Sequence, residues 1–303
     1  MKKNKLGKST IEISALTLGC MSLGTDKQKA KEIIDAALDK GINHLDTADL
    51  YNFGLNEEIV GEAIKHKRNQ LIVTTKVGNH FNKQTQDWYW DPSKAYILTE
   101  VKESLRRLGT DYIDLYMLHG GTIDDPIDET IEAFEVLKQE GLIRAYGISS
   151  IRPNVIREFT NKSNIDAVMT QYSLLDRRPE ESTLDLLHEH GISVLARGPL
   201  ANGMLSNQAL QQIERKGKNG YLDYTYEELI AIYQKLKTYP DTLNELALKY
   251  VQRHPAITSA VFGASSIDQV KENTKLGTDD VLDSKHYKEL QSITKPITYQ
   301  QHR

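Results

Sequence analysis

Four side chains in the sequence could together deliver a proton to a carbonyl oxygen, and they belong to Asp46, Tyr51, Lys76 and His119. A phenol is a poor acid at neutral pH until a neighbouring cation favours the phenolate, and Lys76 can supply that charge. Asp46 would keep this lysine charged and oriented. His119 can donate a hydrogen bond to the carbonyl oxygen and stabilise the developing alkoxide. These residue types predict acid–base chemistry on a polarised carbonyl if the fold brings them together.

The elements around these residues predict how they meet. Eight apolar segments rich in β-branched residues alternate with longer segments of helical spacing, which is typical of βαβ units around a parallel sheet. The predicted strands are residues 15–19, 42–46, 71–76, 113–118, 145–149, 167–171, 193–196 and 259–262. Eight strand–helix pairs predict an α/β fold of the (β/α)8 TIM barrel type, with residues 1–303 forming one domain.

Helices and connections complete this prediction. Three- and four-residue spacing predicts helices that end at glycines, over residues 27–40, 93–108 and 128–140. Residues 5–14 predict an N-terminal β-hairpin that turns near Gly7 and could plug the bottom of the barrel. The longest interval between strands contains two further helical patterns and an aperiodic segment over residues 215–220, which we predict to be a mobile loop.

The four reactive residues fall where a TIM barrel builds its active site, at the C-terminal ends of the strands. Asp46 and Lys76 end the second and third predicted strands, Tyr51 lies in the loop after Asp46, and His119 follows the fourth strand. Each residue also has a plainer interpretation. Asp46 and Lys76 could form a structural ion pair, Tyr51 could be a loop aromatic and His119 could be a satisfied core histidine.

Composition narrows the class of partner. A formal net charge of -4 argues against a nucleic-acid surface, which normally carries a basic excess. No stretch has the apolar length of a membrane span, and the basic start of the chain is not followed by the apolar core of a signal peptide. The single cysteine, Cys20, fits a reducing compartment. We therefore expect a cytoplasmic protein that acts on a small molecule, with no nucleic-acid or membrane partner.

Two segments resemble the signatures of the aldo-keto reductase family. Residues 41–48, followed by Tyr51 and by Asn56, Glu57 and Gly61, are similar to the signature around that family's catalytic aspartate and tyrosine. Residues 103–115, which lead into the fourth strand, resemble the second signature. The resemblance places the catalytic tetrad on the four residues that the barrel argument selects. It implies reduction of aldehyde or ketone carbonyls to alcohols by hydride transfer from NADPH, with the tyrosine as general acid.

The resemblance also implies that NADPH binds in an extended form over the barrel mouth, without a Rossmann domain. The sequence agrees, because no GxGxxG motif follows a predicted strand, and residues 19–24 lack the Lys-Ser/Thr that a phosphate-binding P-loop requires. By resemblance, Gly19, Met21, Ser149 and Ser150 lie near the nicotinamide. Ser150 stands where the family usually has asparagine, which removes one expected amide contact.

Two more positions depart from the family pattern. Gln171 has the strand parity of the family's carboxamide-binding glutamine and can replace it one pleat higher, or it is simply a polar residue at a strand end. Arg197 stands in place of the aromatic residue that stacks on the nicotinamide, and it can either stack or form a salt bridge. After Arg197, the resemblance assigns a pyrophosphate loop to Gly198, Pro199, Leu200 and Gly203.

The adenosine-phosphate segment follows the last strand. By resemblance its residues are Gly263, Ser265, Ser266, Gln269 and Asn273. Many relatives have an arginine near Ser265 or Ser266, so a 2′-phosphate would depend here on hydroxyls, helix-start amides and a lysine of the mobile loop. Ser266 and Gln269 also form a capping-box pattern. The cofactor expected is NADPH, with NADH as the alternative.

Three adjacent aromatic residues, Trp88, Tyr89 and Trp90, follow the third predicted strand, in a segment that we predict to be a loop. They could wall an apolar pocket for the carbonyl substrate, or they could pack on the barrel rim. A metallohydrolase site at His44, Asp46 and His119 is disfavoured because the Lys76 cation would repel a metal, so no metal is predicted. A non-enzymatic nicotinamide-sensing subunit, like regulators associated with channels in this family, is the alternative function, and the intact tetrad argues against it.

Overall fold

The computed structural model describes residues 1–275 and 282–303, and its centre is a closed barrel of eight parallel strands. Neighbours in the barrel follow the chain order, and the last strand pairs with the first. The barrel strands are β3 (Leu16–Gly19), β4 (His44–Asp46), β5 (Ile72–Val77), β8 (Ile113–Leu118), β9 (Ile143–Ser149), β10 (Ala167–Gln171), β11 (Ser193–Arg197) and β12 (Ile257–Gly263). The (β/α)8 TIM barrel prediction is confirmed, with each strand within two residues of its expected bounds.

Helices follow the strands and cover the outside of the barrel. Those in the described residues are α1 (Lys27–Asp39), α2 (Leu55–Ile64), α3 (Lys94–Leu108), α4 (Ile127–Gln139), α5 (Pro153–Lys162), α6 (Thr183–Glu189), α7 (Ala209–Lys216), α8 (Tyr226–Leu236), α9 (Leu243–Gln252), α10 (Ile267–Asn273) and α11 (Ser284–Ile293). Their apolar faces form one continuous core with the outward-facing strand residues. Among the described residues, no helix is both long and apolar enough to cross a membrane.

The N-terminal hairpin is confirmed and closes the lower end of the barrel. Its strands, β1 (Lys3–Lys5) and β2 (Glu12–Ser14), pair antiparallel. Leu6, Ile11 and Ile13 are buried against inward-facing residues of the barrel strands. Gly7 has φ +54°, and a Cβ there would lie 2.2 Å from the Asp166 carbonyl oxygen, so only glycine allows this close approach.

Strand periodicity decides which side chains reach the upper mouth. Inward-facing Leu115, Met117, Ala167 and Met169 form the apolar centre of the barrel. Side chains of a strand alternate between its two faces, so residues two positions further along face the same way. The upper layer with this parity contains residues predicted for the site: Gly19, Asp46, Lys76, His119, Ser149, Gln171, Arg197 and Gly263.

A polar layer lies one pleat below, around His44. Its Nδ1 lies 2.7 Å from Thr17 Oγ1, and its Nε2 lies 2.6 Å from Thr74 Oγ1. Thr17 also contacts Ser259 Oγ at 2.7 Å. Burial, together with the nearby Lys76 cation, lowers the pKa of His44 to about 3. The imidazole is therefore neutral in the native barrel at neutral pH and joins three strands by hydrogen bonds.

Acid should destabilise the protein through this histidine. Between pH 6.5 and about 3, unfolded His44 binds a proton that the native residue does not, so the free energy of unfolding rises with pH in this window. Each such histidine contributes a slope of at most about 1.4 kcal/mol per pH unit. We expect His44→Gln to flatten the measured slope, with exposed His66→Gln as the control. Denaturant titrations from pH 4 to 7 that give identical slopes for the wild type and His44→Gln would contradict this account.

One predicted loop is a strand instead, and a second predicted loop begins two residues later than expected. Asp87–Trp90 is strand β7, which pairs antiparallel with β6 (Asn79–Asn82) in a hairpin above the barrel, so the prediction of a loop was wrong there. Most of β7 is exposed on both faces, so its sequence does not alternate between apolar and polar residues, and this alternation is the pattern that predicts a strand. The aperiodic segment 215–220 begins inside α7, because Arg215 and Lys216 form its last turn.

Candidate active site

The site begins with an ion pair between two strand ends. Lys76 Nζ lies 2.8 Å from Asp46 Oδ1 and 2.9 Å from Oδ2, and it donates to the Thr47 carbonyl oxygen at 2.8 Å. Only 1% of the lysine side chain is exposed. Burial opposes its charge, but Asp46 and then Tyr51 raise the pKa of Lys76 above its ordinary value. The ammonium is therefore held charged beneath the barrel mouth.

Tyr51 stands above this ammonium. Lys76 Nζ donates to the Tyr51 hydroxyl oxygen at 3.3 Å, and the same nitrogen lies 5.0 Å from the centre of the phenol ring. A cation in this position stabilises negative charge that develops on the hydroxyl oxygen during proton transfer. The pair can therefore release the hydroxyl proton to an acceptor above it and hold the remaining charge.

The loop that carries Tyr51 is fixed by the residues of the first signature. Thr47 Oγ1 donates to Asn56 Oδ1 at 2.6 Å, and Asn56 Nδ2 donates to the Cys20 carbonyl oxygen at 2.9 Å. Gly54, with φ +85°, turns the chain into α2. A Cβ on Gly61 would lie 2.4 Å from the Leu108 carbonyl oxygen, so this glycine lets α2 approach α3. Most of the signature therefore positions the reactive groups.

A buried cluster of charged side chains fixes helix α2, which follows this loop, against α3 and β5. The Arg107 guanidinium pairs with Glu57 at 2.5 Å and with Glu100. Glu57 also accepts a hydrogen bond from Thr75 Oγ1 at 2.5 Å, which connects α2 to β5 next to Lys76. Such pairs hold geometry, because removing one partner would leave a buried charge uncompensated.

His119 completes the tetrad. Its backbone N–H donates to the Val77 carbonyl oxygen at 2.7 Å, and its ring meets the Tyr51 ring edge to face with centres 5.7 Å apart. Burial, and then the Lys76 and Arg197 cations, lower the pKa of His119 to about 3. At neutral pH the imidazole is uncharged, so it can donate one hydrogen bond to a carbonyl oxygen without acting as the acid.

Two adjoining cavities open on the tetrad. The tetrad cavity, of about 350 Å³, is bounded by His119, the loop after β8 and the end of β9. The β11–β12 cavity, of about 550 Å³, is bounded by Asp46 and the loops after those two strands. Four residues line both cavities: Met21, Tyr51, Met169 and Arg197. A ligand extended along both cavities would therefore pass directly over the tyrosine.

Predicted cofactor residues divide between the two cavities. The pair Ser149 and Ser150 lines the tetrad cavity. Ser150 Oγ accepts a hydrogen bond from the Arg152 backbone N–H at 3.2 Å, so this hydroxyl holds its own loop. The others that line the β11–β12 cavity, besides the shared Met21 and Arg197, are Gly19, Gly198, Pro199, Leu200, Gly203, Gly263, Ser265, Gln269 and Asn273.

The β11–β12 cavity has the wall that a nucleotide diphosphate requires. Gly19, Gly198, Gly203 and Gly263 leave the backbone uncovered, and a Cβ on Gly263 would lie 2.9 Å from Ser22 Oγ. Its cationic side chains are Arg197, Arg215 and Lys216, and its acids are Asp46 and Glu272. Exposed backbone N–H groups together with arginine and lysine are the usual phosphate ligands. The residues present fit a dinucleotide.

The structure bears on the alternatives left open at Gln171 and Arg197. Gln171 does not line either cavity, and its Nε2 donates to the Tyr221 hydroxyl at 3.2 Å. Arg197 forms no ion pair with any described residue, so the salt-bridge alternative is not observed. Its guanidinium lines both cavities beside Tyr51.

The start of α10 is capped by Ser266, and the return hydrogen bond of the capping box is shifted by one residue. Ser266 Oγ accepts from the Gln269 N–H at 3.3 Å, as the capping-box pattern predicts. The glutamine side chain, however, accepts from the N–H of Ser265 at 2.8 Å, one residue earlier than the pattern requires. Ser266 does not line the β11–β12 cavity, whereas Ser265 does. The helix start therefore offers Ser265 and not Ser266 to a ligand.

The aromatic cluster on β7 is not brought together with the tetrad. Trp88 and Tyr89 are 55% and 59% exposed, and neither lines the tetrad cavity or the β11–β12 cavity. Trp90 packs over Gly78 and Gly120, and its Nε1 donates to the Asp125 carboxylate at 3.1 Å. The second interpretation of the sequence, packing on the barrel rim, describes Trp90.

Sequence reasoning missed several residues that line the cavities. Gly120, Gly121 and Arg152 line the tetrad cavity, and Arg215 lines the other. Lys216, which also lines the other cavity, belongs to the segment from which a lysine was expected at the 2′-phosphate. The available signal was position, because the first three follow β8 and β9 at their C-terminal ends. Among the described residues, no group of three or more His, Cys, Asp or Glu side chains is arranged to hold a metal ion.

Comparison with known proteins identifies the family of this chain. The profile of the aldo/keto reductase family matches residues 15–295. The chain is 56% identical to YqkF of Bacillus subtilis (strain 168), an uncharacterised oxidoreductase, over all of both chains. It is 34% identical to the NADH-specific methylglyoxal reductase of Escherichia coli (strain K12), covering 90% of this chain and 92% of that protein.

A solved structure shares the whole architecture. The holo form of the aldo-keto reductase AKR11C1 from Bacillus halodurans superposes with a TM-score of 0.95. The two chains are 56% identical, and the match covers 100% of this chain and 99% of that one. Both the sequence and the fold of this chain are therefore similar to those of aldo-keto reductases.

Proposed function

We propose that this chain, which belongs to the aldo/keto reductase family, reduces aldehyde or ketone carbonyls to alcohols with NADPH, and that Tyr51 donates the proton. The observation that carries the proposal is the placement of one buried cation. Lys76 Nζ lies between the Asp46 carboxylate and the Tyr51 hydroxyl, and Tyr51 lines a cavity large enough for a small carbonyl compound. A structural ion pair alone would not require a phenol at the cavity surface.

The proton step follows from these contacts. Tyr51 gives its hydroxyl proton to the carbonyl oxygen as that oxygen becomes an alkoxide. The phenolate that remains is stabilised by the Lys76 ammonium at 3.3 Å. Asp46 and the Thr47 carbonyl oxygen keep this ammonium in place and charged. Neutral His119 donates a hydrogen bond that orients the carbonyl toward the tyrosine.

The residues of the β11–β12 cavity would hold the cofactor. Bound NADPH supplies the hydride that the carbonyl carbon receives. Gly198 and Leu200 would present backbone N–H groups to its diphosphate, while the Gly203 N–H holds the turn by donating to the Leu200 carbonyl oxygen at 2.9 Å. Arg197 would lie against the nicotinamide end. We also propose a cytoplasmic location, in which the lone buried Cys20 stays reduced.

A turnover assay tests the proposal. Purified protein is mixed with NADPH, or in parallel with NADH, and a panel of aliphatic, aromatic and dicarbonyl aldehydes. Loss of the near-ultraviolet absorbance of the reduced nicotinamide is followed with time. We expect consumption with several aldehydes. Consumption no greater than that of a Tyr51→Phe variant across the whole panel would overturn the proposal and favour a nicotinamide-sensing role.

The proposed preference for NADPH over NADH leads to a separate prediction. No arginine follows β12 in the segment that faces the adenosine end, so we propose that Arg215 and Lys216 of α7 bind the 2′-phosphate from across the cavity. Replacing both by methionine should raise the KM for NADPH by about threefold to tenfold, as expected for partly exposed ion pairs. The KM for NADH, which lacks that phosphate, should not change.

Lys218→Met is the matched control, because Lys218 follows the same helix but does not line the cavity. A wild-type preference for NADH, like that named for the Escherichia coli relative, would refute the NADPH assignment. It would leave the carbonyl reduction itself intact, and Glu272 would then be the cavity acid available to ribose hydroxyls.

A further inference from the structure

The tetrad cavity has an unbalanced charge. Its ionic side chains are Arg152 and Arg197, and no aspartate or glutamate among the described residues lines it. Tyr51 and His119 contribute polar but uncharged surface, since the His119 imidazole is neutral. The adjoining β11–β12 cavity differs, because Asp46 and Glu272 accompany its cations. The smaller cavity therefore presents two guanidinium groups and no counter-charge of its own.

Arg152 is the more informative of the two arginines. It is partly buried just after β9, and its guanidinium donates to the Gly121 carbonyl oxygen. It forms no ion pair with any described residue, whereas Arg68 and Arg107, also partly buried, each hold a carboxylate. A guanidinium has five N–H donors in a planar fork that matches a carboxylate. Most of that fork remains available to a ligand.

The position of Arg152 indicates which ligand brings the anion. Arg152 lines only the tetrad cavity, together with His119 and Gly121. The glycines and cations suited to a diphosphate line the other cavity, beyond the shared wall of Met21, Tyr51, Met169 and Arg197. An anion on the Arg152 side of that wall would therefore belong to the molecule being reduced.

We infer that the substrates are carbonyl compounds that also carry a compact oxyanion, with a carboxylate as the first choice, and that Arg152 binds this group. The inference rests on the proposed reductase function and names its substrate class. With the anion on Arg152, the carbonyl of a short molecule lies over Tyr51 and His119, which line the same cavity of about 350 Å³. Arg152 is thus a specificity residue that does not touch the reacting atoms.

Matched substrates test the inference. 4-Carboxybenzaldehyde and its methyl ester, methyl 4-formylbenzoate, have the same reacting aldehyde and differ in charge. We expect the wild type to favour the acid in kcat/KM by about tenfold to a hundredfold, the range of a hydrogen bond to a charged group. Glyceraldehyde 3-phosphate against glyceraldehyde forms a second arm. A preference in that arm alone would replace the carboxylate by a phosphate as the group bound.

Variants locate the effect. Arg152→Met should abolish the preference for the acid while the kcat/KM for the ester stays within about twofold of wild type. Arg152→Gln, which can still donate to Gly121, covers the case in which the methionine variant does not fold. Arg157→Met is the matched control, because Arg157 is an exposed residue of α5 that does not line the cavity.

Two results would overturn the inference. One is a wild type whose kcat/KM is equal for the ester and the acid, and also equal for glyceraldehyde and its phosphate. The other is an Arg152→Gln variant that loses activity on acid and ester equally. In both cases turnover of the ester by the wild type shows that the reductase function stands. If no aldehyde of either kind is reduced, the proposed function fails, and the inference fails with it.

Discussion

A Tyr51→Phe variant should reduce aldehydes about 10²–10⁴-fold more slowly than the wild type, because a positioned general acid contributes a factor of that size. Phenylalanine keeps the ring that meets His119 edge to face and removes only the hydroxyl near Lys76. We therefore expect kcat to fall while cofactor affinity, measured by calorimetric titration, stays unchanged.

The matched control is Tyr89→Phe, which removes a hydroxyl from the exposed hairpin strand β7. Its kcat should equal that of the wild type. Retention of more than about a tenth of wild-type kcat by Tyr51→Phe would exclude this residue as the main proton donor. His119 or a water molecule would then have to take that role.

Lys76→Met should abolish turnover and also destabilise the fold. Removing one partner of a buried ion pair typically costs about 3–5 kcal/mol, because the other charge is left uncompensated. Burial already raises the pKa of Asp46, and loss of the lysine removes the charge that opposes this. Native Asp46 would then bind a proton more readily than the unfolded residue, so the stability deficit should grow as the pH rises. Urea titrations at several pH values measure it.

A double variant separates the two effects of Lys76. Asp46→Asn combined with Lys76→Met removes both charges, so most of the lost stability should return while turnover does not. Lys31→Met serves as the control, since the exposed pair of Lys31 and Asp35 should contribute no more than about 1 kcal/mol. A double variant as unstable as Lys76→Met would show that the ion pair does not cause the loss.

The tetrad could be predicted from the sequence because its chemistry coincides with a topological rule. Asp46 and Lys76 end buried strands, and parallel barrel strands bring such ends to one mouth. The rule fixes which residues meet. It does not give the order in depth, in which the ammonium lies beneath the phenol, since that depends on the loop held by Thr47, Asn56 and Gly54.

Where local signals were weak, prediction failed. The hairpin of β6 and β7 leaves most of β7 exposed, so no alternation of apolar and polar residues marked Asp87–Trp90 as a strand. Arg215 and Lys216 precede Gly217 and were grouped with an aperiodic stretch, although they complete the last turn of α7. The family resemblance indicated that a lysine of this segment meets the residues after β12, but it did not indicate that the lysine lies in a helix.

The charge balance of the tetrad cavity could not be predicted from the sequence either. Arg152 lies two residues after the serine pair assigned to the cofactor, yet nothing local distinguishes it from Arg157 five residues later. Both are single arginines near the start of a helix. The difference arises because the loop after β8 approaches Arg152 and leaves Arg157 on the outside. Partners from separate strands decide whether a cation is neutralised, and sequence spacing does not contain them.

Four residues line both cavities, so the affinity for a ligand in one cavity depends on how a ligand in the other holds this shared wall. A dinucleotide that fixes Met21, Met169 and Arg197 on one side also sets the shape and charge that a carbonyl compound meets on the other. Linkage requires that any gain in substrate affinity caused by the cofactor be matched by an equal gain in cofactor affinity caused by the substrate. Titration of the proposed cofactor with and without a carbonyl compound would measure this coupling from either side.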